Sequence, residues 1–322
     1  MKAIVFERYG SPDVLKLEEV EKPVVPDDGV LVRVRAASVN PADWHLMRGE
    51  PYIARIAFGL RRPKQRFLGL DLAGQVETVG KSVMELHAGD EVFGTGHGAL
   101  AEYVCTGEKT LVSKPAGLTF EQAAAVPVAA VTALQGLRDH GHIQPGHKVL
   151  INGASGGVGT FAVQMAKSFG ALVTGVCSTR NVDLVRSLGA DRVIDYTQED
   201  FTQGEERYDL ILDVVGSRPW SELKRVLGAR ATVVVVGGPS TNRWLGPLSH
   251  LVKVRLASAG GSRKAVNFVA SVNKGDLVVL QELLGAGKVM PVVDRTYPLS
   301  EATEAIRYLE AGHVRGKVVI TA

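Results

Sequence analysis

The residues most ready for chemistry are Asn152-Gly153-Ala154-Ser155-Gly156-Gly157-Val158-Gly159. The apolar run Val149-Leu150-Ile151 comes before them, and Thr160-Phe161-Ala162-Val163-Gln164-Met165-Ala166-Lys167 follows. The first run suits a buried strand; the last has helical spacing and good helix formers. Strand, tight turn and helix form the setting in which an A-x-G-x-x-G pattern can hold a dinucleotide. Glycines let the main chain turn sharply and leave no Cβ in the path of a diphosphate. The first amides of a helix have no internal partner, and the helix dipole places partial positive charge there. The pattern departs from G-x-G-x-x-G at its first position, which is Ala154.

A second group of residues bears on which dinucleotide would bind. An Asp or Glu about 20 residues past the glycines would hold the ribose hydroxyls of NAD. Here the next apolar run, 172–177, leads into Ser178-Thr179-Arg180-Asn181, with no carboxylate. Ser178 and Arg180 suit a 2′-phosphate, which a carboxylate would repel. NADPH/NADP+ is therefore expected over NADH.

These residues need a frame, and the chain supplies two kinds. Up to about residue 120 the pattern is β-rich. Short alternating runs at 2–7, 30–36, 72–80, 89–94 and 101–104 are separated by turn residues, as in a small barrel or sandwich. From 121 the pattern changes to an Ala-rich helical stretch, 121–138, which Pro127 should break. Strands expected at 149–152, 172–177, 192–195, 210–214, 232–236 and 255–259 then alternate with helices, which implies a parallel sheet covered on both faces. After Gly261 a long helix is expected over 264–284, followed by an extended segment at 291–297, a helix at 300–310 and a strand at 317–321. This tail is expected to rejoin the N-terminal domain. The domains are thus 1–122 with 262–322, and 123–261. A basic segment, 50–67, carries Arg55, Arg61, Arg62, Lys64 and Arg66 among apolar residues and reads either as a solvated basic loop or as a lip over the active-site cleft that helps select the substrate.

Composition excludes several classes. A formal net charge of +3 is too small to suggest a nucleic-acid partner. Two widely separated cysteines, Cys105 and Cys177, imply neither a disulfide framework nor a metal cluster, so the cytoplasm is the expected compartment. No apolar run is long enough to span a membrane. No Tyr is followed four residues later by Lys, which removes the short-chain dehydrogenases.

Several motifs together resemble one family. They are Ser38-Val39-Asn40-Pro41-Ala42-Asp43, Gly69-Leu70-Asp71-Leu72-Ala73-Gly74, Gly89-Asp90-Glu91-Val92, Ala101-Glu102-Tyr103, the glycine turn, Leu188-Gly189-Ala190-Asp191, Asp195-Tyr196 and Gly316-Lys317-Val318-Val319. End to end, the chain resembles the medium-chain dehydrogenase/reductase superfamily in its zinc-free, quinone-oxidoreductase-like branch. The resemblance implies an α/β architecture: a GroES-like β-barrel catalytic domain plus a Rossmann doubly wound parallel sheet, with nicotinamide and substrate in a cleft between them. It also implies a dimer or tetramer, with a homodimer expected, joined through Rossmann sheet edges, here the 255–259 strand. Zinc-containing relatives carry Cys, His and Cys near the positions of Asn40, Leu70 and Val128. None of those ligands is present, so no metal is expected and hydrogen-bond donors must stabilise any oxyanion.

By the same resemblance, Asn40, Thr132 and Gly237 surround the nicotinamide end. Residues Ala154, Ser155, Gly156, Gly157, Val158 and Gly159 cradle the pyrophosphate. Ser178, Arg180, Tyr196 and Val215 line the rest of the cofactor site, and Lys317 reaches the pyrophosphate. The cofactor carries the hydride, so no protein nucleophile is needed. Asp43 is expected to orient the Asn40 turn. Tyr52 and His45 are the candidates for delivering a proton, with water as the alternative. The implied activity is NADPH-dependent reduction of quinones or α,β-unsaturated carbonyls without zinc. Two other readings stay open: a zinc-independent alcohol or aldehyde oxidoreductase, and a non-catalytic NADPH-binding structural or regulatory protein.

Overall fold

The computed structural model describes residues 1–238, 244, 248–258 and 261–322. Packing divides the chain into two compact units. The first is Met1–Val131, Val272–Gly287 and Pro291–Ala322; the second is Thr132–Ser271 and Lys288–Met290. The changeovers thus fall at 131/132 and 271/272 rather than at the expected 122/123 and 261/262.

In chain order the first unit contributes strands β1 (Lys2–Val5), β2 (Lys16–Glu19), β3 (Gly29–Val39), β4 (Asp71–Val79), β5 (Glu91–Thr95), β6 (Tyr103–Gly107) and β7 (Leu111–Ser113). The second contributes β8 (Lys148–Asn152), β9 (Leu172–Cys177), β10 (Arg192–Asp195), β11 (Tyr208–Asp213), β12 (Leu227–Val235) and β13 (Lys264–Asn267). The chain then returns to the first unit with β14 (Val293–Pro298) and β15 (Lys317–Thr321).

The first unit is built on β3. Its N-terminal part alternates buried valines with exposed Arg33 and Arg35, the period of a half-buried strand. Its last four residues, Ala36 to Val39, are buried, because there β4 and β15 flank it on both sides. The sheet runs β14-β15-β3-β4-β5-β7, with β6 paired to β3, and all its pairs are antiparallel except β14 with β15. Its core gathers Val32, Leu72, Val104, Leu111 and Val318. The helix Ala302–Glu310 covers it with Ala302, Ala305 and Ile306, the i, i+3, i+4 stripe of an amphipathic helix.

The second unit is a six-stranded parallel sheet ordered β10-β9-β8-β11-β12-β13. In its own strand sequence that order is 3-2-1-4-5-6, the doubly wound arrangement. Burial is near-continuous along β8 and β11, as it must be in strands covered on both faces. The helix Gly157–Ser168 covers the sheet with Phe161, Ala162, Met165 and Ala166. The carboxyl ends are level: Asn152 lies opposite both Val176 and Asp213, and Asp213 lies opposite Val235.

Pro127 interrupts the 121–138 helical stretch as expected: it is two helices, Phe120–Ala124 and Pro127–Gln135, because proline is tolerated only in the first turn. Two other sequence expectations are corrected. The expected 255–259 edge strand is instead the end of a helix, Leu248–Ser258; Ala259 lies outside the described residues. A short alternating apolar run fits either period, and here helix packing decides. The expected 264–284 helix splits into edge strand β13 and a helix, Lys274–Gly285, started by Asn273, whose side chain accepts from the Asp276 amide.

Candidate active site

The glycine turn sits where β8 ends, at the point where the strand order reverses between β8 and β11. In open α/β sheets ligands bind outside the carboxyl ends at such a switch point. Gly153 takes φ +87, a left-handed conformation that only glycine adopts freely. The Gly153 and Ala154 amides both donate to Val176 O, which ties the turn to β9. Ala154 is wholly buried, and its methyl faces Gly175 of β9, so the small residue fits here in place of the usual glycine.

The other glycines differ in what requires them. A Cβ on Gly159 would lie 2.0 Å from Gly153 O and 2.8 Å from the Ala154 backbone, so close packing of turn on helix dictates that glycine. Among the described residues a Cβ on Gly156 would meet nothing nearer than Gly153 O at 3.5 Å, and its φ of −85 is open to any residue. Nothing among the described residues asks for glycine at 156. The N-cap residue, Gly156, has no side chain with which to cap the helix start. The uncapped amides and the open face beside them are the features a pyrophosphate would fill.

Around this turn the level strand ends bring the remaining candidates of the second unit together. Ser178 and exposed Arg180 follow β9, exposed Tyr196 follows β10, Val215 follows β11 and Gly237 follows β12. Asp213 fastens the β11 end: its Oδ1 accepts from Asn152 Nδ2 at 2.8 Å and from the amides of Val215 and Gly216. Gly237 is required by Val214 O, which a Cβ there would approach to 2.1 Å. Asn181 was missed as a candidate. Buried at 5% exposure, it donates to Ser155 Oγ at 3.0 Å and Ser178 Oγ at 3.2 Å, joining the glycine turn to the end of β9, while its Oδ1 has no partner. The sequence signal was an Asn at the close of Ser178-Thr179-Arg180-Asn181, too common a residue to single out. Thr132 is buried in the helix Pro127–Gln135.

In the first unit a buried polar cluster forms around Asp71. Ser38 and Asp71 are partners in the β3–β4 register, Lys317 opens β15 on the other flank of β3, and Asn40 follows β3 directly. Asp71 Oδ2 accepts from Ser38 Oγ at 2.9 Å, Asn40 Nδ2 at 2.9 Å and Lys317 Nζ at 3.2 Å; Oδ1 accepts from the Val128 amide at 3.0 Å. Asn40, Asp71 and Val128, which hold or adjoin the three positions where zinc-containing relatives place ligands, thus meet on a carboxylate paired to an ammonium. Among the described residues no group of His, Cys, Asp and Glu gathers as metal ligands do. Lys317 does not reach outward as expected. Its side chain is 4% exposed, and its three protons go to Val39 O, Asn40 Oδ1 and Asp71 Oδ2, leaving none for a pyrophosphate.

Asp43 is the third residue of the helix Pro41–Arg48. It accepts from the Asn40 amide at 2.7 Å and the Gly69 amide at 3.0 Å, holding both turns. Burial, reinforced by nearby Asp71, pushes its carboxyl up to about 6 against the pull of those two amides.

Beside Asp43 a pocket of about 350 Å³ opens, walled by His45, Leu46, Pro51, Arg55, Phe58 and Phe67. Residues of the basic segment thus form part of this pocket's wall. Arg55 stiffens it by donating to Gly49 O and Arg48 O, with its guanidinium 4.5 Å from the Tyr9 ring centre and 4.6 Å from that of Tyr52. Tyr52, a proton-donor candidate, packs against Arg55 and is not part of the pocket lining. His45 lines the pocket but is set as an acceptor. Its Nδ1 faces Glu50 O at 3.0 Å and so must carry the proton. Burial lowers its pKa below the usual histidine value, so Nε2 is unprotonated at neutral pH. Tyr52 is thus outside the pocket lining and His45 faces the pocket as an acceptor, so neither is set as a donor towards it.

Comparison with known proteins places this arrangement. Residues 26–116 match the family model described as alcohol dehydrogenase GroES-like domain, and residues 188–320 match that described as zinc-binding dehydrogenase. The chain is 37% identical to 2-methylene-furan-3-one reductase of Solanum lycopersicum, over 99% of this chain and 79% of that protein. It belongs to the medium-chain dehydrogenase/reductase superfamily. Within that superfamily it is 35% identical to the chloroplastic NADPH-dependent alkenal/one oxidoreductase of Arabidopsis thaliana, over 99% of this chain and 79% of that protein. The quinone oxidoreductase of Coxiella burnetii superposes with a TM-score of 0.87 at 32% identity, covering 100% of this chain and 99% of that one. The first unit accordingly carries the superfamily's GroES-like domain, and the second its Rossmann sheet.

Proposed function

We propose that this chain is an NADPH-dependent reductase that transfers hydride to quinones or α,β-unsaturated carbonyls without a metal ion. The observation that carries the proposal is the helix start beside Gly156, a glycine whose face no described residue fills. When bound, the cofactor supplies the hydride. The amides of Gly157, Val158 and Gly159 hold its pyrophosphate, with Ala154, Ser155 and Gly156 giving the turn its shape. Ser178 and Arg180 take the 2′-phosphate, and Tyr196 flanks the adenosine end. Val215 and Gly237 line the site at the ends of β11 and β12, and Asn40 and Thr132 serve the nicotinamide end. The pocket beside Asp43 receives the carbonyl substrate, and water completes the reduced product.

The names of the relatives support both substrate classes. NADPH consumption measured with 9,10-phenanthrenequinone and with 2-cyclohexen-1-one tests the proposal. Turnover of either supports it. Turnover of a saturated aldehyde alone would replace it with an aldehyde reductase, and tight NADPH binding without turnover would replace it with a binding protein.

We further propose a homodimer through β13, the end strand of this sheet among the described residues, beside which Val269 is 93% exposed, with exposed Val252 and Leu256 one turn apart on the helix Leu248–Ser258. Cys105 and Cys177 are unpaired, which suits the cytoplasm. No helix among the described residues is long and apolar enough to cross a membrane.

A further inference from the structure

The cluster around Asp71 leaves one hydrogen-bonding group unspent. An ammonium can only donate and a carboxylate can only accept. Lys317 Nζ lies 2.6 Å from one end of the Asn40 carboxamide, and Asp71 Oδ2 lies 2.9 Å from the other. The end facing the ammonium must be the oxygen, and the end facing the carboxylate must be the nitrogen. The two ends of an amide are ordinarily interchangeable; here their neighbours decide. Lys317 is saturated by Val39 O, Asn40 Oδ1 and Asp71 Oδ2. The amide nitrogen of Asn40 carries two hydrogens, and Asp71 takes one. Among the described residues no acceptor takes the other, although Asn40 is only 3% exposed.

We propose that Lys317 is a positioning residue: with Asp71 it locks the Asn40 carboxamide so that its remaining N–H is a fixed donor for the carbonyl oxygen of a ligand. A buried donor left unmatched costs about 1–3 kcal/mol, so a free N–H in this setting is best explained by an acceptor that arrives with the ligand. The ammonium behind the amide oxygen polarises the group and strengthens the remaining N–H. A buried ion pair is also a poor device for stability alone, since apolar residues of similar size often serve as well. Orientation is what apolar replacements would not supply.

This inference rests on the proposed reductase, in which two ligands carry a suitable oxygen: the nicotinamide carboxamide and the enone or quinone carbonyl. The test uses binding, so that it does not depend on turnover. Lys317→Met alone strands the Asp71 charge and should lower the melting temperature sharply. Lys317→Met/Asp71→Asn removes both charges and should restore much of it. Asn40→Leu removes the donor while keeping the bulk. For each, the NADPH dissociation constant is read from nucleotide fluorescence, and that of 2-cyclohexen-1-one for the NADP+-loaded protein from equilibrium dialysis. In the double variant and in Asn40→Leu, at least one constant should rise tenfold or more. A rise for NADPH identifies the nicotinamide carboxamide as the acceptor, and a rise for the enone alone identifies the substrate. Both constants within twofold of wild type, in either variant with its fold retained, would overturn the inference. Wild-type protein that binds both ligands but consumes no NADPH would sink the reductase proposal and leave this one to be decided by the binding constants. Wild-type protein that binds neither would sink both.

Discussion

The glycine turn and the Asp71 cluster are the two polar regions the fold works hardest to build, and they are built in opposite ways. The turn is one contiguous stretch whose groups are main-chain amides, and it leaves them open. The cluster is drawn from residues 38, 40, 71 and 317, its groups are side chains, and it closes on itself except for one amide N–H. A site for a polyanion can be made from backbone because any sequence carries amides. Placing one neutral donor beneath a carbonyl needs side chains whose own orientation is fixed from behind. The two regions should therefore respond differently to substitution: single glycines of the turn separate binding from folding, whereas charges in the cluster link the two.

The largest effect expected within this comparison is at Gly159. Its Cβ would press on backbone atoms that cannot yield, so Gly159→Ala should cost about 3 kcal/mol or more in denaturant unfolding. A loss under about 1 kcal/mol would mean that the turn is more pliant than its close contacts imply.

In the first unit the sharper probe is pH. The Asp43 carboxyl is raised in the fold from 3.8 to about 6, so the folded protein holds a proton that the unfolded chain has released. Its contribution to stability is fully present below pH 4, falls as pH rises towards 6 and is flat above that. The total is about 2–3 kcal/mol, from roughly two pH units at about 1.4 kcal/mol each. Asp43→Asn should remove this slope from the unfolding free energy measured between pH 4 and 7. An unchanged slope would place the titration elsewhere.

A smaller effect sharpens the cofactor side. Removing one charge-assisted contact to a phosphate is worth roughly 1.5–3 kcal/mol, so Arg180→Ala should raise KM for NADPH by about tenfold or more and leave that for NADH nearly unchanged. Equal changes for both nucleotides would contradict the 2′-phosphate assignment.

The contrast also explains what could be read from the sequence. The parallel sheet was legible because β8, β11 and β12 are short apolar runs at regular spacing, and the turn because its glycines are neighbours in the chain. The Asp71 cluster was not, because its members are distant in sequence and meet only through the β3–β4 and β15–β3 registers. One signal was present: Asp71 and Lys317 each head an apolar strand, and a buried charge needs a partner. Lys317 was instead given to the pyrophosphate, since position in sequence cannot tell a lysine that opens towards solvent from one that turns inward. The segment around 255–267 misled for a different reason: its short apolar runs fit strand and helix alike, and only packing separated the helix Leu248–Ser258 from β13. Asp43 was read correctly as a brace for the Asn40 turn, because an acidic residue three places past a helix start has a local partner.

The central claim is that the open face of Gly156 and the uncapped amides beside it hold a dinucleotide. Substituting Gly156→Val and titrating with NADPH, alongside thermal unfolding without ligand, tests it most directly. The account predicts a melting temperature close to wild type, because the first added carbon meets no described residue nearer than 3.5 Å, together with loss of NADPH binding by about a hundredfold or more. A folded Gly156→Val protein that binds NADPH as tightly as wild type would contradict it.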